Sequence, residues 1–203
     1  MSISADDRER ISRSIRAAEA KTSGEIVCVL AQSSTTATAL PVFLAAVGAL
    51  VLPWLLVSLT AMPVYRILSL QIVAFVILTG LLCWPPVRVA LTPRRTRRAV
   101  AHGVAMEQFR IRGLAGKDER TGVLIFVSLA ERYARIIADD GISARVPKLQ
   151  WQAAVDALVA HMRDGRIADG FVAAIDLCGS ELAKHYPRTE ASRDQLPDRI
   201  YLI

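Results

Sequence analysis

The chain has 203 residues, 53% of them hydrophobic, with 25 Lys and Arg against 19 Asp and Glu, a net charge of +6. Its three cysteines and three histidines exclude a disulfide framework and argue against a zinc or redox site: Cys28, Cys83 and Cys178 lack the spacing, and His102, His161 and His185 have no Cys or Glu at ligand distance in sequence. The basic surplus has no interleaved aromatic residues to stack bases, so nucleic acid is not an expected partner.

In chain order, Ser4 followed by Asp6 and Asp7 marks a helix start, a capping hydroxyl with acids in the first turn. Ile11, Ile15 and Ala18 recur at helical spacing, and Thr22-Ser23-Gly24 ends the helix. The first residues contain no apolar run of the kind a cleavable signal peptide needs, so none is expected. Glu25 to Ala31 is a nearly continuous apolar run rich in β-branched residues, which predicts a strand buried on both faces. Gln32 to Thr38 is a Ser/Thr-rich linker.

Two uncharged apolar stretches follow, Leu40 to Leu59 and Ile67 to Trp84. Each matches the roughly 20 residues a helix needs to cross the hydrocarbon core of a bilayer. The short link from Thr60 to Arg66 makes them a transmembrane hairpin. Pro53 predicts a kink in the first span, and Ala45 and Gly48 allow close packing against the second. Trp54 and Trp84 lie near the span ends, as interfacial anchors do. Arg88, Arg94, Arg95, Arg97 and Arg98 crowd the exit, and Arg8, Arg10, Arg13, Arg16 and Lys21 precede the entry, whereas the tip holds only Arg66. Lys and Arg in short flanking segments stay in the cytoplasm. The expected location is therefore the inner (plasma) membrane, with two spans and both termini cytoplasmic. Arg94, Arg95, Arg97 and Arg98 are also expected to touch anionic lipid, and the bilayer is the first expected partner.

Beyond Thr92-Pro93, a basic stretch to Arg112 carries a partial apolar face of Val100, Val104, Ala105 and Phe109 and predicts a helix, lying either along the membrane surface or over a sheet. Gly113 to Gly122 reads as a loop. Val123 to Leu129 is a second buried strand, and a turn at Ala130-Glu131-Arg132 leads to a third, Tyr133 to Ala138, which must run antiparallel to it. That turn is expected to be exposed, with Glu131 and Arg132 in solvent. Asp139-Asp140-Gly141 ends the third strand. Trp151, Ala154, Val155, Leu158, Val159 and Met162 mark a helix closed by Asp164-Gly165, and Phe171, Ile175, Cys178 and Leu182 mark another, stopped by Pro187. The sum is an α/β fold, a small mixed β-sheet sandwiched by helices and interrupted by a two-helix transmembrane hairpin. The expected domains are 1–38 and 88–187 for the two parts of the α/β unit, 39–87 for the hairpin, and 188–203 for a polar tail.

The runs Ser23-Gly24-Glu25-Ile26-Val27-Cys28-Val29-Leu30 and Thr121 to Arg132, with Ile136-Ile137-Ala138-Asp139-Asp140-Gly141-Ile142 after them, resemble the TPM domain family. The likeness is to its bacterial membrane-bound branch, which carries a two-span insert. The resemblance implies an α/β/α sandwich, acidic residues at strand ends able to bind calcium, and acid phosphatase activity of the kind found in some plant members.

Adjacent carboxylates such as Asp139 and Asp140 are hard oxygen ligands suited to Ca²⁺ or Mg²⁺. The ordinary alternative, preferred here, has one Asp capping a turn or the following helix and the other solvated. Asp118 and Glu119 are weaker candidates for the same oxygen cage, and Glu25 ranks below the aspartates because a strand's first residue was expected at the opposite sheet end. No Cys-x5-Arg loop or Asp-x-Asp-x-Thr/Val run supplies a phosphatase nucleophile. Three readings follow: a non-enzymatic membrane-anchored module that assembles or maintains a complex with other membrane protein subunits, a divalent-metal-dependent phosphatase at the membrane surface, and a basic module binding anionic lipid.

Overall fold

The computed structural model describes residues 3–34, 39–60, 62–114, 121–189 and 196–203. Its elements in chain order are α1 (Ala5–Glu19), β1 (Glu25–Ala31), α2 (Ala39–Leu59), α3 (Val64–Cys83), α4 (Pro85–Leu91), α5 (Arg94–Ile111), β2 (Gly122–Ser128), β3 (Tyr133–Ala138), α6 (Asp140–Ser143), α7 (Lys148–Arg163), α8 (Ile167–His185) and β4 (Ile200–Leu202). Two units divide the chain, residues 1–34 with 100–203, and residues 35–99.

In the first unit the strands form a mixed sheet of order β3-β2-β1-β4. β1 pairs in parallel with β2, from Glu25 opposite Gly122 to Ala31 opposite Ser128, and in parallel with β4 on its other side. β2 and β3 form the expected antiparallel hairpin. Every residue of β1 and β2 is buried, because helices cover both faces. On one face Ile26, Cys28, Leu30, Val123, Ile125 and Val127 pack with α1, α7 and α8 through Ile11, Ile15, Leu158, Phe171 and Ile175. On the other face Val27, Val29, Ala31, Leu124 and Phe126 meet Ala105 and Phe109 of α5 and Leu114 after it. The alternation of a strand is therefore present, but both phases are apolar and the sequence shows only a run.

Local chemistry sets the helix ends. The Ser4 hydroxyl accepts from the Asp7 N–H at 3.0 Å, capping α1 as its sequence predicts. α1 and α8 approach closely where Ala18 meets Gly179. The tail was expected to be polar and unassigned, yet Ile200 to Leu202 adds a strand against Cys28 to Leu30. Tyr201 in that strand lies 3.5 Å beneath the Arg112 guanidinium and 4.9 Å from that of Arg199, a cation–π staple between the tail and the end of α5.

In the second unit α2 and α3 are both long and apolar enough to cross a membrane, and only 11% and 6% of their apolar windows are buried. The core helix of a soluble protein is instead mostly covered. Ala45 and Ala49 of α2 and Ile67 of α3 form the buried seam, and a Cβ on Gly48 would sit 3.2 Å from Leu78. The second helix begins at Val64 rather than at Ile67, because extended Pro63 sets its N-terminus and Arg66 falls inside its first turn. The link is correspondingly shorter than Thr60 to Arg66.

At Gly179 a Cβ would lie 2.7 Å from the Ala18 Cβ. Gly179→Ala gains about 1 kcal/mol of helix propensity and loses about 1–3 kcal/mol to overpacking. The variant is expected to be less stable in denaturant unfolding, and Ala18→Gly placed in the Gly179→Ala background is expected to recover part of the loss.

Candidate functional site

The register of the sheet brings three positions into one row at the end where β1 and β2 begin. Glu25 lies opposite Gly122, and the Asp139 N–H donates to the Gly122 carbonyl at 2.9 Å from the strand beyond. Residues opposite one another in a sheet share a face, so Glu25 and Asp139 both lie on the side covered by α5. Between them Gly122 has no side chain, and Leu114 fills the place: a Cβ on Gly122 would meet Leu114 Cδ2 at 2.7 Å and its carbonyl at 3.1 Å. Glu25 is therefore at the same sheet end as Asp139, contrary to its expected placement. The reason is that β3 runs antiparallel, so its last residue meets the first residues of β1 and β2.

Both carboxylates are buried, Glu25 at 6% exposure and Asp139 at 8%. Asp139 is the N-cap of α6, and its Oδ1 accepts from the Asp140 N–H at 2.7 Å. Its Oδ2 is buried with no hydrogen-bond partner among the described residues. Asp140 opens α6 and faces solvent. The two aspartates thus divide into a cap and a solvated acid and do not converge. Asp118 and Glu119 lie outside the described residues, in the segment 115–120 that joins Leu114 to Thr121. Among the described residues no three His, Cys, Asp or Glu side chains form a metal-sized group. What this row offers a cation is the Asp139 Oδ2, without a partner among the described residues, and a second buried acid, Glu25, two strands away.

The opposite end of the sheet holds a polar knot that sequence reasoning placed in solvent. Glu131 is only 5% exposed. Its carboxylate accepts from the Ser33 hydroxyl at 3.0 Å, from the Ser34 N–H at 2.9 Å, and from the Ser128 hydroxyl. Ser34 in turn donates to Ser128 at 2.9 Å. The turn folds back because Arg132 adopts a positive φ of 49°, which drops Glu131 onto the ends of β1 and β2. A cluster of serines after one strand and a Ser-x-x-Glu after the other was the available signal. The knot ties the start of the linker toward α2 to the β2–β3 turn.

Elsewhere, a cleft of about 290 Å³ lies at the start of α8, lined by Asp7, Arg10, Arg166 and Asp169. Arg10 donates to Asp169 at 2.6 Å and Arg166 to Asp164 at 2.9 Å, so the arginines are matched by acids. The Arg10 guanidinium holds the Asp169 carboxyl below its usual range. Burial pushes both core thiols, Cys28 and Cys178, upward, which keeps them protonated and unreactive. Burial, then Arg135, holds His102 on α5 below its usual value.

The second unit carries a run of four arginines. Arg94, Arg95 and Arg98 are exposed; Arg97 is half-buried, and its Nε has no partner among the described residues. Trp54 is 80% exposed and Trp84 61%, so both indoles point away from the hairpin.

A mixed sheet between one helix on one face and three on the other, interrupted after its first strand by two membrane-length apolar helices, defines an α/β/α sandwich with an apolar helical insert. Residues 86–181 match the family description of the TPM domain. That match, together with the fold, supports a member of the TPM domain family. The match begins just after the two apolar helices, which separate α1 and β1 from the rest of their own fold. Its structure is similar to the NMR structure of BA42 protein from the psychrophilic bacterium Bizionia argentinensis, at a TM-score of 0.62 and 20% identity over 100% of this chain and 96% of that one; this likeness concerns the fold. No curated protein matches the chain.

Removal of the Glu131 carboxylate leaves buried donors from Ser34 and Ser128. Glu131→Ala is expected to lose about 1–3 kcal/mol in denaturant unfolding. Glu131→Gln, which keeps an acceptor oxygen, should lose less. Equal stability of all three proteins would show the knot to be energetically idle.

Proposed function

We propose that this protein is a TPM domain anchored by a two-span hairpin in the plasma membrane, with its α/β domain and both termini on the cytoplasmic side, and that it acts as a non-enzymatic factor in assembling or maintaining a membrane protein complex. The observation that carries this reading is the exposure of the hairpin. α2 and α3 bury little beyond Ala45, Ala49 and Ile67 and present Phe43, Leu50, Val57, Ile72 and Val76 outward. That is an outer surface for lipid chains and for other spans, since helices in a bilayer associate by packing rather than by escape from water. The basic segments flanking the pair, and a tip with Arg66 alone, favour the cytoplasmic orientation.

One observation favours a second reading, a divalent-metal-dependent phosphatase: the buried, partnerless Oδ2 of Asp139. Such an oxygen suits Ca²⁺ or Mg²⁺, with Glu25 in the same row and Asp140 at the rim of α6. Against it stands the use of Oδ1 as a helix cap, which gives Asp139 a structural role of its own.

Hydrolysis of a phosphomonoester by the full-length protein, with Ca²⁺, Mg²⁺ or EDTA, separates the two. The assembly reading expects no metal-dependent turnover and no difference between the protein and its Asp139→Asn/Asp140→Asn variant. It further expects photo-crosslinkers at Phe43 and Val76 to capture a membrane protein of one defined mass in native membranes. Turnover that requires metal and disappears in the variant would replace the assembly reading with the enzymatic one.

A further inference from the structure

The four arginines at the start of α5 are not equivalent. Arg94, Arg95 and Arg98 are exposed, and among the described residues none has an ion pair or hydrogen bond through its side chain. Arg97 is half-buried, with its Nε enclosed, so it is the least accessible of the four. α5 has no acidic residue in its first turn. Three like charges thus stand within five residues, at the helix end whose dipole already disfavours them. Among the described residues no ion pair offsets this repulsion. An anion from outside the chain would.

The placement of the cluster says which anion. Residues 35–99 form one unit, so these arginines belong with the two apolar helices and not with the α/β domain. They follow the last residue of α3, Cys83, by a short α4 and a turn, and Trp84 between them is exposed as an interfacial indole is. Guanidinium groups bind phosphate through paired N–H donors and keep their charge at every physiological pH.

We propose that Arg94, Arg95 and Arg98, without Arg97, form a headgroup site for the phosphodiester of an anionic phospholipid such as phosphatidylglycerol. The site rests on the membrane-anchored reading above and gives that reading a lipid preference. It also divides the basic run in a way its sequence does not, since all four arginines there look alike.

The test uses the full-length protein in nanodiscs of phosphatidylcholine mixed with phosphatidylglycerol, with lipids retained on the released protein counted by native mass spectrometry. The wild type is expected to retain phosphatidylglycerol above its share of the disc. Each arginine contributes about fivefold in headgroup affinity. The Arg94→Gln/Arg95→Gln/Arg98→Gln variant should therefore fall to the bulk ratio, and Arg97→Gln should keep the enrichment. Equal enrichment in the triple variant, or loss in Arg97→Gln as large as in the triple, would overturn the assignment. Added inorganic phosphate should leave the enrichment unchanged; displacement of the lipid by it would overturn the assignment to a headgroup and mark a site for free phosphate. A chain that enters the discs without lipid preference would sink this site and leave the anchor intact. A chain that stays soluble without discs or detergent would sink both.

Discussion

β1 is the constraint on which the rest of the structure depends. It lies inside the sheet, and both of its neighbours, β2 and β4, come from chain beyond the apolar pair. Among the described residues no other strand lies ahead of the insert. The sheet therefore cannot form until the chain has passed through α2 and α3 and returned. If those helices cross a bilayer, they must do so an even number of times, because Glu25 to Ala31 and Gly122 to Ser128 are hydrogen-bonded neighbours. Two helices joined by a short link meet that condition with the least chain. They also bring the ends of the insert together, which lowers the entropic cost of closing so long a loop.

The same topology concentrates polar groups at the two sheet ends. One end gathers Glu25 and Asp139 because an antiparallel strand finishes where two parallel strands start. The other gathers Ser34, Ser128 and Glu131 because β1 and β2 end together and the hairpin turn folds back over them. At the second end the described hydrogen bonds of the carboxylate have a structural outcome, the pinning of the segment that leaves β1. At the first end one oxygen of Asp139 holds α6 and the other has no described partner. This asymmetry leaves the Asp139 Oδ2 with no structural use among the described residues.

What was legible in the sequence was whatever depended on local pattern. The runs in β1 and β2 could be read because burial on both faces makes every position apolar. The cap at Ser4 and the stop at Asp164-Gly165 are set by residues within a turn of the event. The parts that were not legible are those decided by distant chain. β4 is three residues long and has no period of its own; it exists because the edge of β1 is open and Arg112 stacks on Tyr201. Glu131 looked like an exposed turn residue because two of the three serines that bond it, Ser33 and Ser34, follow a different strand. Glu25 was misplaced because its position relative to Asp139 follows from strand direction, which composition does not carry. α3 begins early for a local reason, Pro63, that the search for uncharged residues passed over.

The most direct test of this account is the side of the membrane on which each segment lies. Single cysteines at Arg8, Met62 and Leu149, all exposed positions, would be probed with an impermeant maleimide in sealed, right-side-out vesicles. The account predicts that the Met62 position is labelled at once, and that the Arg8 and Leu149 positions are labelled only after the vesicles are opened. Labelling that places Arg8 and Leu149 on opposite sides, or all three on one side, would contradict it.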